Sequence, residues 1–152
     1  MEKNKIDQLE KIKETQMNKN DLGTLAIDLG SSTTVVVFQK ENGQFPELVD
    51  LPPICRSPGE IPSLIWQSPE EDEGYLIGQQ IINLNLINEE TERNLSQDFK
   101  RWIGSQEVDP IYNSKIPPEE AGKILIHTIW KKISKKFNVK RLVLTAPVDT
   151  YR

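Results

Sequence analysis

From residue 24 onward, short apolar runs alternate with polar breaks. TLAIDLG, Thr24 to Gly30, is an apolar run closed by a turn, SST breaks it, and TVVVFQK is a β-branched run. The turn sequence ENG and a third short run around Phe45 to Val49 follow. Such residues suit a pleated, half-buried surface, so the stretch predicts a β-meander. Pro52, Pro53, Pro58 and Pro62 mark a long loop, after which SLIW and YLIG predict two more strands separated by the acidic tip PEEDEG. Gln79 to Asn88 and Leu95 to Arg101 predict short helices. Pro117-Pro118-Glu119-Glu120 predicts a helix start, with proline in the first turn and carboxylates at the positive end of the helix dipole. Behind it Ala121, Ile124, Leu125, Thr128, Ile129, Ile133 and Phe137 recur at helical spacing and lay one stripe on a core. KRLVLTAP near the end predicts a strand buried on both faces. Strands, then a helix, then a strand give an α/β class, a mixed β-sheet with packing helices.

Residues 1–23 read differently. Met1 to Leu22 carries five acidic and five basic residues, with Ile6, Leu9 and Ile12 at helical spacing. Isolated helices of this length are marginal in water, so a charged, frayed or briefly helical extension is expected before a body over 24–152. The 152 residues, 36% hydrophobic with a mean hydropathy of −0.52, fit one globular domain. No run approaches the roughly 20 apolar residues of a membrane span, and no apolar leader opens the chain, so a cytoplasmic location is expected. One cysteine, Cys55, and one histidine, His127, exclude an internal disulfide and a His/Cys zinc cluster. Charge is uneven: Glu41 to Glu73 holds eight acidic residues against Arg56 alone, and Gly122 to Arg152 holds eight basic residues against Asp149. Lys131, Lys132, Lys135 and Lys136 fall on the polar side of the long helix, a solvated face and not a nucleic-acid interface.

AIDLGSSTTVVVF, Ala26 to Phe38, carries the candidate chemistry. Two tightly joined strands place Asp28 at the end of the first and leave Gly30, Ser31, Ser32 and Thr33 in the connection, where backbone N–H groups and hydroxyls can converge on an anion. A carboxylate beside a phosphate repels it unless a hydrated Mg²⁺ lies between them. The plain alternative is a hairpin turn with a capping aspartate. GxxxxGK[ST] and GxGxxG are both absent, which excludes a P-loop and a Rossmann turn.

This segment resembles the first phosphate loop of the actin-like ATPase superfamily. IPSLIW (Ile61 to Trp66), YLIGQQ (Tyr75 to Gln80) and DFKRWIGSQ (Asp98 to Gln106) resemble, in order and spacing, elements of the seventy-kilodalton heat-shock chaperones of the DnaK type. PPEEAGKIL and LVLTAPV resemble that family's next helix and strand. The resemblance implies a ribonuclease-H-like lobe, ATP or ADP with Mg²⁺ as ligands, and ATP hydrolysis in the complete protein, with unfolded peptides and cochaperones as partners. It gives Asp28 the water shell of the Mg²⁺, Gly30, Ser31 and Ser32 the β- and γ-phosphates, Lys100 the role of catalytic lysine, and Pro147 that of a relay between nucleotide state and the rest of the protein.

Departures from the family pattern keep a second reading open. Thr33 stands where the family usually has an aromatic, Ser105 replaces a common arginine, and the family's second phosphate loop and second lobe have no counterpart here. Turnover by this chain alone is therefore not expected, and a non-catalytic binding or regulatory module with the same lobe is the alternative. A sugar kinase of the superfamily would need a sugar-binding carboxylate that this sequence does not reach. His127 reads as a surface residue, Trp66, Trp102 and Trp130 as packing, and Cys55 as a loop thiol without an activating neighbour.

Overall fold

A computed structural model describes residues 22–69, 74–105 and 111–145. The expected N-terminal helix, most of the acidic tip and Pro147 lie outside these residues.

Strand β1 (Leu22–Asp28) pairs antiparallel with β2 (Thr33–Lys40), which carries β3 (Glu47–Leu48) on its other side. Strict alternation buries Leu25 and Ile27 of β1 against Val36 and Phe38 of β2, their partners in the register. This is the period-two pattern of a sheet with one face on a core. β1 begins at Leu22, inside the stretch whose composition reads as extension.

The proline loop that follows also holds a strand. β4 (Glu60–Pro62) pairs with the first residues of β2, Thr33 lying opposite Pro62. The chain then builds a small antiparallel sheet in which β5 (Ile65–Gln67) lies between β6 (Tyr75–Ile77) and β7 (Leu95–Ser96). Between β6 and β7 comes α1 (Gln79–Asn83), shorter than the ten-residue helix expected from Gln79 to Asn88. The helix expected over Leu95 to Arg101 is corrected: Leu95 and Ser96 form β7, Asp98 takes a left-handed conformation with φ 54°, and a 3₁₀ turn spans Phe99–Trp102.

Helix α2 (Pro118–Ile133) has proline at its start, Glu119 and Glu120 in its first turn, and Lys131 and Lys132 in its last, so its charges complement the dipole at both ends. Ala121, Ile124, Leu125, Ile129 and Ile133 are buried, as the helical spacing predicts, in one core with Leu25, Val36, Ile61 and Phe99. Beyond it Phe137 stacks on Phe38 with ring centroids 4.4 Å apart.

Strand β8 (Asn138–Leu144) then lies parallel to β1, so one sheet runs β3-β2-β1-β8 with β4 attached to β2. The protein is thus a mixed α/β structure, with one mixed and one antiparallel sheet. Burial of β8 on both faces is corrected: Leu142, Val143 and Leu144 are 44%, 51% and 49% exposed. β8 is the edge of its sheet, and among the described residues only β1 pairs with it. Among the described residues no helix is long and apolar enough to cross a membrane.

Candidate functional site

The carboxyl ends of the parallel neighbours β1 and β8 lie side by side, Ile27 opposite Leu144 in the register. In sheets with parallel neighbours this is where ligands bind, because the loops there leave the sheet and their amides are not consumed by the ladder. Asp28 closes β1 and is exposed. The chain then turns through Leu29 to Ser32 and re-enters the sheet at Thr33, with Asp28 paired to Val35. Glycine is required inside this turn: a Cβ on Gly30 would stand 2.1 Å from the carbonyl oxygen of Thr33, a backbone atom that cannot swing aside.

Two residues distant in sequence fasten the turn from opposite sides. From the β4 side, the Ser63 hydroxyl donates to the Gly30 carbonyl at 2.7 Å, and the Ser63 amide donates to the Ser32 carbonyl at 2.9 Å. Ser63 Oγ lies 2.9 Å from the Thr34 hydroxyl, and both residues are fully buried, at 1% and 0% exposure. From the β8 side, the Thr145 amide donates to the Ile27 carbonyl at 3.2 Å, and the Leu29 amide donates to Thr145 Oγ1 at 3.1 Å. The Thr145 hydroxyl proton goes to Asp28 Oδ1 at 2.7 Å. Among the described residues, the amides of Gly30, Ser31 and Ser32 and the hydroxyls of Ser31 and Ser32 make no hydrogen bond. The turn therefore offers several donors within three consecutive residues, held in place by carbonyl-side contacts.

These residues fit a phosphate group and a hydrated divalent cation. Donors in successive backbone units suit an anion. Magnesium keeps several waters and needs only one or two carboxylates beside a phosphate, so Asp28 alone suffices. Among the described residues no group of three or more histidine, cysteine, aspartate and glutamate side chains could hold a bare ion.

Lys100 lies in the 3₁₀ turn Phe99–Trp102 and is partly buried. Phe99 is fully buried, anchoring the segment. After it, the Gly104 amide donates to Glu119 Oε1 at 3.0 Å, and Gly122 leaves room for Ile103, whose Cδ1 would lie 3.2 Å from an added Cβ. The first turn of α2 thus docks the lysine segment. Strand pairing links this segment to the clamp of the turn: Ser63 leads into β5, Ile65 of β5 pairs with Ser96 of β7, and Lys100 comes four residues later. Among the described residues no hydrogen bond or ion pair joins Lys100 to Asp28 or to Gly30–Thr33. The structure therefore places Gly30, Ser31 and Ser32 in one turn flanked by Asp28 at the end of β1 and Thr33 at the start of β2, and Lys100 in the 3₁₀ turn docked on α2, while Pro147 lies outside the described residues.

The remaining candidates stay structural. His127 is exposed on α2, Trp66 and Trp102 are half-buried, and Trp130 is 36% exposed. Burial pushes the Cys55 thiol above its ordinary range, against the lowering effect of the Leu51 amide, so it is a poor nucleophile. Reading the sequence alone missed Ser63 and Thr145. The only sequence signal for either is a small hydroxyl residue ending a short strand next to a proline or alanine, which is common in loops.

No protein-family model matches the chain, and no curated protein matches it.

Proposed function

We propose that this chain supplies the first phosphate-binding turn and the catalytic lysine of an ATP-hydrolysing, actin-like lobe, as part of a chaperone of the DnaK type. One observation carries the reading: a turn at the carboxyl end of β1 with an obligatory glycine, an adjacent carboxylate and unspent donors, clamped by Ser63 and Thr145.

In this reading the Gly30, Ser31 and Ser32 amides and the two serine hydroxyls bind the terminal phosphate oxygens of ATP or ADP. Asp28 accepts hydrogen bonds from the water shell of Mg²⁺. The bound cation neutralises phosphate charge. Lys100 belongs to the segment docked on α2, and its ammonium offsets charge on the γ-phosphate in the assembled site, as a compact cation on a flexible stem can. Phosphoryl transfer depends on positioning and charge from several directions, of which these residues provide one side. Unfolded peptides and cochaperones are partners of the complete machine.

The test is an amide-resolved NMR titration of the folded chain with MgADP, MgATP and adenosine. The expected result is saturable shifts at Gly30, Ser31 and Ser32 with both nucleotides and none with adenosine, weakened roughly tenfold or more by Asp28→Ala, as for loss of a charge-assisted contact. A folded chain whose turn amides do not respond up to millimolar nucleotide would overturn the reading.

A further inference from the structure

Asp28 is exposed and sits at the end of a strand, so nothing in β1 itself fixes its carboxylate. Thr145 does. Its hydroxyl has one proton and two lone pairs. The Leu29 amide can only donate, so Thr145 Oγ1 accepts there, at 3.1 Å, and its own proton is committed to Asp28 Oδ1, at 2.7 Å. The Thr145 amide, on the Ile27 carbonyl at 3.2 Å, fixes the residue itself to β1. Three bonds from one residue thus hold the strand end, the first turn amide and one carboxylate oxygen. Among the described residues Oδ2 of Asp28 accepts no hydrogen bond.

We infer that Thr145 is a positioning residue for the cation side of the site. By occupying Oδ1 it fixes the rotamer of Asp28 and presents Oδ2 to the water shell of a divalent cation that accompanies a phosphate ligand. The inference rests on the phosphate-site reading above. It distinguishes the two halves of the site: Ser63 holds the carbonyls behind the phosphate donors, and Thr145 holds the carboxylate. The one turn amide that Thr145 Oγ1 holds is that of Leu29, outside the phosphate donors Gly30 to Ser32, so loss of the hydroxyl weakens chiefly the part of nucleotide binding that depends on the cation.

The experiment is titration of the full chain with ADP, in magnesium and in EDTA, for wild type, Thr145→Val, Thr145→Ser and Asp28→Ala. Thr145→Val keeps shape and removes both the proton given to Asp28 and the acceptor of the Leu29 amide. Expected is a loss of about tenfold in affinity for MgADP, the equivalent of about 1.4 kcal/mol, with affinity for metal-free ADP unchanged and with Thr145→Ser restoring wild-type behaviour. If Thr145→Val does not fold, Thr145→Cys, a weaker donor, takes its place and must show a loss confined to the magnesium arm. Equal losses in both arms would mean that Thr145 only holds the turn together and would overturn the inference. So would wild-type behaviour of Thr145→Val alongside weakened Asp28→Ala, which leaves the phosphate-site reading intact. A wild-type chain that binds ADP in neither arm would overturn both.

Discussion

Ser63 reaches across 33 residues to the Gly30 carbonyl from a position almost without solvent contact. Removing its hydroxyl leaves that carbonyl and the Thr34 hydroxyl short of a partner where water does not replace it, which costs about 1–3 kcal/mol. Ser63→Ala is therefore expected to lower the unfolding free energy by that amount, read as a lower urea midpoint with an unchanged denaturant slope. A substitution at Gly30 acts more locally. Its Cβ would collide with a backbone oxygen, so Gly30→Ala is expected to shift the turn and abolish the response of its amides to MgADP. An unaltered response would show that the turn tolerates a side chain. Cys55 provides a control away from the site. Its thiol is pushed up by burial, so at about pH 8 it holds less thiolate than free cysteine and is expected to alkylate slowly until the chain unfolds. The sign for stability follows: the folded chain favours the protonated thiol, so this contribution is complete below the ordinary thiol range and lost as pH rises past it. The turn's glycine and aspartate are legible in the sequence because they are neighbours. Its two clamps are not, because they are contacts over 33 and 117 residues that no local pattern encodes.

At the scale of elements, legibility follows how many faces a segment buries. α2 reads cleanly because a single stripe along its 16 residues meets one core, and the 3.6 period records that directly. Leu95, Phe99 and Trp102 also stand at helical spacing, which is why the segment reads as a helix. Leu95 is instead buried by pairing with Trp66 in β5, and the left-handed Asp98 separates it from a 3₁₀ turn. An apolar run such as LVL reports affinity for a covered surface and says nothing of whether a cover is present, hence the exposure of β8. The docking of the lysine segment on α2 leads to a prediction of opposite sign to that at Gly30. Gly122 lies inside α2, where alanine is favoured by up to about 1 kcal/mol. The nearest atom to an added Cβ is Cδ1 of Ile103, the end of a flexible side chain, at 3.2 Å. Gly122→Ala is thus expected to stabilise the chain by a few tenths to about 1 kcal/mol in urea denaturation. A bulkier Gly122→Leu is expected to push Ile103 away and destabilise.

Across the whole molecule the two clamps differ in the stability of what they anchor to. Ser63 lies between β4 and β5, whose Ile61 and Ile65 are fully buried, so the clamp stands on core. Thr145 follows β8, an edge strand held by its pairing to β1, the half-buried Val139 and an exposed ion pair between Lys140 and Glu41 at 2.8 Å. Surface ion pairs contribute at most about 1 kcal/mol, and Leu142, Val143 and Leu144 bury only part of their apolar area. Local opening therefore starts at β8, since segments with little buried apolar surface open at lower free energy than the core. Native-state hydrogen exchange is expected to show β8 amides exchanging faster than those of β1 and β2, although all three strands are hydrogen-bonded. Protection of β8 equal to that of β1 would show that the edge strand opens only with the whole domain. If the order holds, the Asp28 carboxylate is fixed by a strand less stable than β1 and β2, and a cation bound at Oδ2 reduces opening of β8 by mass action. Slower exchange at β8 in MgADP than in ADP with EDTA is the outcome expected, and equal exchange in the two would separate the strand's stability from the site.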